Sequence, residues 1–169
     1  YRVGFNLSDS QAKITKYDLN PDGNIGDHYV GEKIGEIWGF VTDGFYSTDE
    51  EAAGVDNSDI WGGKWLAGDV RYKNLNGDKT ADGKDIISKG HSKLQDPGDR
   101  KIIGNNTARY NYGISLSAEY KNFDFSCLMQ GVGKRDLMLG GAYFWGFTDE
   151  WRTPTTEQLD YWTPDNPNA

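Results

Sequence analysis

In YNYGISLSAEYKNFDFSCLMQGVG, residues 110–133, the run from Tyr110 to Tyr120 alternates strictly. Tyr110, Tyr112, Ile114, Leu116, Ala118 and Tyr120 fall on one side; Asn111, Gly113, Ser115, Ser117 and Glu119 fall on the other. Strand side chains point to opposite faces with period two, so this is a strand with one oily and one wet face. A second strand follows, with Phe123, Phe125, Cys127 and Met129 on the oily side and Asp124, Ser126 and Gln130 on the wet side. Lys121-Asn122 is a two-residue link of hairpin length, and Asn tolerates the positive φ that such turns need. Pairing Tyr120 with Phe123 carries Ala118 onto Phe125, Leu116 onto Cys127 and Ile114 onto Met129, so the oily faces match across the hairpin. That face meets either a protein core or lipid.

Length bears on the choice. Ten steps from Tyr110 to Tyr120 span roughly 33 Å, or a height of roughly 25 Å when tilted by about 40°, the apolar band of an outer-membrane barrel. Aromatic residues sit at both ends of the strands with aliphatic and small residues between, as in the aromatic girdles of such barrels. Strands of a soluble β-sandwich also alternate, and the pattern alone leaves both readings open.

The chain has 169 residues, 36% of them hydrophobic, with 22 Gly and 14% aromatic residues. Mean hydropathy is −0.75. This is thin for a soluble core but suits a barrel wall, where only alternate residues face lipid and long polar loops lower the average. No run approaches the ~18 apolar residues of a membrane helix, which excludes a helical membrane protein and leaves strands untouched. A net charge of −8 argues against a nucleic-acid partner and suits oxygen-rich cation sites. The single cysteine, Cys127, allows no internal disulfide and reads as a small hydrophobe on the oily face. The opening residues YRVGFNLSDS have neither a basic n-region nor an apolar h-region, as in a cytoplasmic protein or a piece of a longer one.

Along the rest of the chain, residues 1–17 read as two strands joined by a polar turn, and 34–46 as a strand or strand pair. Residues 47–106 read as a long, irregular, Gly- and Asp-rich loop. A further strand is expected near 137–147, and a short helix over 155–161 with Thr155 as its cap.

The strongest local motif is NLNGDKTADGKD, residues 74–85. Asn74, Asn76, Asp78, Thr80, Asp82 and Asp85 occupy positions 1, 3, 5, 7, 9 and 12, the ligand spacing of an EF-hand-like calcium loop. Asn stands at position 1, Lys79 replaces the usual Gly at position 6, and Asp85 replaces the bidentate Glu at position 12. A solvated turn rich in Asn, Gly and Asp has the same composition. Asp96 and Asp99, in DPGDR, are candidate remote ligands.

Enzyme signals are weak. His28 and His91 are the only histidines, both in turn-like sequence with no cysteine nearby. No two carboxylates are marked as an acid–base pair. Gly62-Gly63 and Gly140-Gly141 lack the strand–glycine–helix context of a phosphate loop. The six Trp suit sugar stacking, a girdle or a core, and Trp38 reads as a wall residue.

Four segments in order resemble the SusC/RagA family of TonB-linked outer-membrane proteins: GEKIGEIWGFVTDGFY at 31–46, AGDVRYKNLNGD at 67–78, the stretch from DPGDRKIIGN to GVGKRD at 96–136, and DYWTPDNPNA at 160–169. Ala108 stands where that family usually has Pro, and the NGDKTADGKD turn departs from its pattern. The resemblance implies an all-β fold, part of the C-terminal half of a 22-stranded transmembrane barrel in the outer membrane of a Gram-negative bacterium. The plug domain and the TonB-contacting segment belong to a region before this chain. It further implies import of oligosaccharides or peptides with a SusD-like surface lipoprotein, driven through TonB, with no catalysis. In that setting residues 110–133 are wall against outer-membrane lipid, and Lys121-Asn122 lies at the periplasmic end. The residues by themselves also allow a soluble, calcium-stabilised, β-rich carbohydrate-binding module, with a hydrolase third.

Overall fold

A computed structural model describes residues 1–141, 144–146, 150, 151 and 153–167. Among the described residues the chain is all-β apart from one five-residue α-helix and one 3₁₀ turn. The longest strands are β8, Arg109–Tyr120, and β9, Phe123–Lys134, each of 12 residues. They pair in the expected register: Tyr120 with Phe123, Ala118 with Phe125, Leu116 with Cys127, Ile114 with Met129. On the far side of β8 lies β1, Arg2–Ser8, antiparallel, with Val3 opposite Leu116, Phe5 opposite Ile114 and Leu7 opposite Tyr112. The order β1-β8-β9 is an open sheet that does not close into a barrel among the described residues.

The turn differs in detail from expectation. The positive φ, 53°, belongs to Lys121 and not to Asn122. A non-glycine residue there costs about 1–2 kcal/mol, and the Lys121 ammonium lies 5.3 Å from the Tyr120 ring centre. At the other end Tyr110 has φ 56° and leaves the alternation. Gly133 permits this: a Cβ there would sit 3.0 Å from that of Tyr110.

Between the adjacent strands β1 and β8 the chain makes an excursion over residues 9–108, called the insert below. Within 47–106, expected as an irregular loop, the chain carries short elements, most of those that remain. Strand β2, Glu36–Phe40, pairs with β7, Arg100–Asn105; β3, Thr42–Phe45, pairs with β5, Val70–Tyr72; and β4, Val55–Asp56, runs parallel to β6, Asp85–Ile86. Helix α1, Asp49–Ala53, starts on Thr48, whose hydroxyl accepts from the Glu51 N–H at 3.2 Å. The sequence misleads here because Gly- and Asp-rich turns between very short strands read as loop.

Three further expectations are corrected. Residues 13–17 form only a bridge between Lys13 and Lys33, because β1 takes its partner a hundred residues later and not from the next segment. No strand follows Lys134 among the described residues of 137–147 (Ala142, Tyr143 and Phe147 lie outside them). There the chain is turned aside: Asn105 N–H donates to Asp136 at 2.8 Å, Asp136 N–H to Asn105 O at 2.9 Å, and Arg135 Nε to Asn106 O at 2.9 Å. The helix expected over 155–161 is a 3₁₀ turn, Thr156–Leu159, entered at Thr155, whose N–H donates to Gln158 Oε1 at 2.9 Å.

The buried apolar side chains among the described residues are Ile25, Tyr29, Tyr46, Ala52 and Ile87, all in the insert. The long sheet has no such core. Phe5, Phe125 and Phe123 are 67%, 59% and 80% exposed.

Candidate functional site

The first candidate is the apolar face of the β1-β8-β9 sheet. The register places Val3, Phe5, Leu7, Tyr112, Ile114, Leu116, Ala118, Tyr120, Phe123, Phe125, Cys127 and Met129 together, with no charge among them. Tyr112 faces Gly131, and its ring lies so close over that glycine that any Cβ would collide with it. The opposite face carries Asn6, Ser8, Asn111, Ser115, Ser117, Glu119, Asp124, Ser126 and Gln130, interrupted by Leu128 and Val132. Burial of one such apolar side chain is worth ~1.5–3 kcal/mol. About ten left in water forfeit on the order of 15 kcal/mol, as much as a whole domain's stability. A face of this kind needs an apolar cover.

The two ends of the sheet differ. At one end Lys121-Asn122 joins β8 to β9 directly. At the other, β1 and β8 are joined by the insert, and β9 leads into residues 135–167. The neck of the insert is clasped by Arg109, whose Nε and Nη2 both donate to the Asp9 carboxylate. That pairing holds the Asp9 carboxyl below the usual carboxylate range. No helix among the described residues is long and apolar enough to cross a membrane, which says nothing about strands.

The second candidate is the acidic loop. Asn74, Asn76, Asp78 and Asp85 come together, but as partners of one another. Asn74 Nδ2 donates to Asp78 O at 2.8 Å and to Asp85 Oδ1 at 3.2 Å, and Asn74 Oδ1 accepts from Gly77 N–H at 2.6 Å. Asn76 Nδ2 donates to Asp78 Oδ2 at 2.9 Å. The Lys79 ammonium lies 3.0 Å from Asp85 Oδ1 and, with Asn74, keeps that carboxyl below its ordinary range. Thr80 turns away and accepts from Lys84 N–H at 3.1 Å, while Asp82 is exposed at the tip of that turn. An inward ammonium and inward amide N–H groups fit a cation poorly. No group of three His, Cys, Asp or Glu is placed to hold a metal among the described residues.

The carboxylates expected as remote ligands have other partners. Asp96 pairs with His91. Asp99 is fully buried; its Oδ1 accepts from Leu75 N–H at 2.6 Å and Asn76 N–H at 3.0 Å, and its Oδ2 from Ser88 N–H at 2.7 Å. Asp99 therefore ties three segments of the insert together, a role the spacing of DPGDR does not announce. A second unforeseen network joins Tyr29, Glu36 and Trp38: the phenol donates to Glu36 Oε2 at 2.5 Å and accepts from Trp38 Nε1 at 3.1 Å. Burial, then the Glu36 carboxylate, pushes the Tyr29 hydroxyl up to about 12. Trp38 thus packs on Tyr29 inside the insert, in the β2-β7 pair and outside the long sheet. Near it His28 Nδ1 lies 3.0 Å from the buried Glu32 carboxylate.

No family model matches the chain, and no curated protein matches it.

Proposed function

We propose that this chain is a segment of the wall of an outer-membrane β-barrel importer of the SusC/RagA type. The observation that carries the reading is the continuous uncharged face of β1-β8-β9, left uncovered while the buried apolar side chains lie in the insert. Its lipid-facing residues are those from Val3 to Met129 named above, and the Asn-, Ser- and Gln-bearing face lines a water-filled interior. The unequal ends support the orientation: barrels of this class carry short periplasmic turns and long extracellular loops. Lys121-Asn122 is then periplasmic, and the insert is extracellular. In this reading the cargo is an oligosaccharide or a peptide received from a SusD-like surface lipoprotein, and TonB acts through another part of the protein. The chain's role is passage and not catalysis.

Detergent dependence tests the reading. The 169-residue chain is expected to need detergent or lipid to remain dispersed with its β-signal intact. A monomer that stays folded in plain buffer overturns it in favour of a soluble binding module.

A further inference from the structure

We infer that residues 9–108 form a self-closed folding unit, whose cooperative unfolding is independent of the wall sheet it interrupts. Three observations carry this. Every strand of the insert pairs inside the insert, and none joins β1, β8 or β9. The buried side chains of the chain, apolar and polar, lie between Ile25 and Asp99 among the described residues. The insert is tied to the wall where its ends meet: Ser8 lies opposite Asn111, Asp9 is gripped by Arg109 across a separation of 100 residues, and Asn105 and Asn106 bond to Asp136 and Arg135 just beyond β9.

The physical consequence concerns the entropy of closure. β1 and β8 become neighbours only if the chain between them brings its ends together. Closing a flexible loop costs more as it lengthens, though only logarithmically. An insert folded on its own core presents its ends already adjacent, so this cost does not fall on the pairing of β1 with β8. The polar ties inside it make this possible at low apolar content: Asp99 to residues 75, 76 and 88, Asn57 Nδ2 to Tyr46 Oη at 3.1 Å, and Arg71 to Glu51 at 2.5 Å. This inference stands whether lipid or protein covers the apolar face, so it can fail or hold independently of the transport reading.

Hydrogen exchange on the full chain in detergent micelles is the test, with two variants in the insert and one in the wall. Tyr46→Ala removes a fully buried ring, and Ile87→Ala is a milder change in the same core. Each is expected to speed exchange of amides in β2, β5 and β7 by about tenfold or more, while β8 and β9 keep their parent rates. Leu116→Asp, in the centre of β8, is expected to do the reverse. Loss of protection in both regions from any one of the three variants makes the chain a single cooperative unit and overturns the inference. Unchanged exchange in the insert for both Tyr46→Ala and Ile87→Ala also overturns it, because the insert's protection would then not come from its own core.

Discussion

Asp99→Ala is the perturbation that reaches furthest into the insert. The carboxylate is 0% exposed and accepts three backbone N–H groups, from Leu75, Asn76 and Ser88. A hydrogen bond to a charged group is worth about 1.5–3 kcal/mol, and a buried donor left without a partner costs about 1–3 kcal/mol. Simple addition gives roughly 4.5–9 kcal/mol, but the three bonds share one carboxylate and are not additive. Water entering the space left by the side chain can serve some of the donors. The expected loss is about 3–5 kcal/mol, which for a chain of this size lowers Tm by about 6–20 °C. Asp99→Asn keeps one acceptor oxygen but turns an NH₂ toward a donor, and is expected to lose about 2–3 kcal/mol. The assay is thermal unfolding with exchange at amides 75, 76 and 88 as the local readout. Asp96→Ala is the control, since its carboxylate is partly exposed and serves chiefly His91. An Asp99→Ala protein within about 0.5 kcal/mol of the parent, the range of an ordinary surface change, rules out Asp99 as a tie of this strength.

Other consequences are as direct. Ile114→Arg places a charge near the middle of the apolar face and should cost about 2–4 kcal/mol of membrane assembly; assembly at the parent level, read by heat-modifiable gel mobility, contradicts the orientation. The Tyr29 hydroxyl is raised in the folded protein to about 12. Its contribution is therefore complete below the unfolded value of about 10 and is lost as pH rises from there toward the folded value. Denaturation followed from pH 9 to 12 should show this loss, and Tyr29→Phe should flatten it; an unchanged slope in the variant counts against it. Calcium should leave protease cleavage within residues 74–85 unaltered, since Lys79 already neutralises Asp85. Protection at micromolar calcium would support the EF-hand-like reading.

What could be read from the sequence has a physical boundary. The β8–β9 register was legible because a two-residue link and two period-two faces admit one matching alignment. The partner of β1 was not, because a pairing across a hundred residues leaves no mark on the residues near it. The insert was hidden because polar groups hold much of it together. Asp99, Asn57 and Arg71 sit among Gly, Asn and Asp, and their composition is that of a solvated loop. The spacing of residues 74–85 leaves two readings open for a related reason: the oxygens that would gather a cation also accept the N–H groups of their own turn, as Asn74 does from Gly77. Lys121 carries the positive φ that Asn122 is by residue preference better suited to take, since the turn type decides which position bears it.

Spin labels placed singly at positions 112–118 in a Cys127→Ser background, with the protein in lipid vesicles, separate a lipid-facing wall from a sheet in water. A period of two is expected: labels at 112, 114, 116 and 118 relax with dissolved oxygen, and labels at 113, 115 and 117 with an aqueous nickel chelate. Nickel accessibility at all seven positions, or oxygen preference without alternation, contradicts a wall with one face in lipid and the other in water.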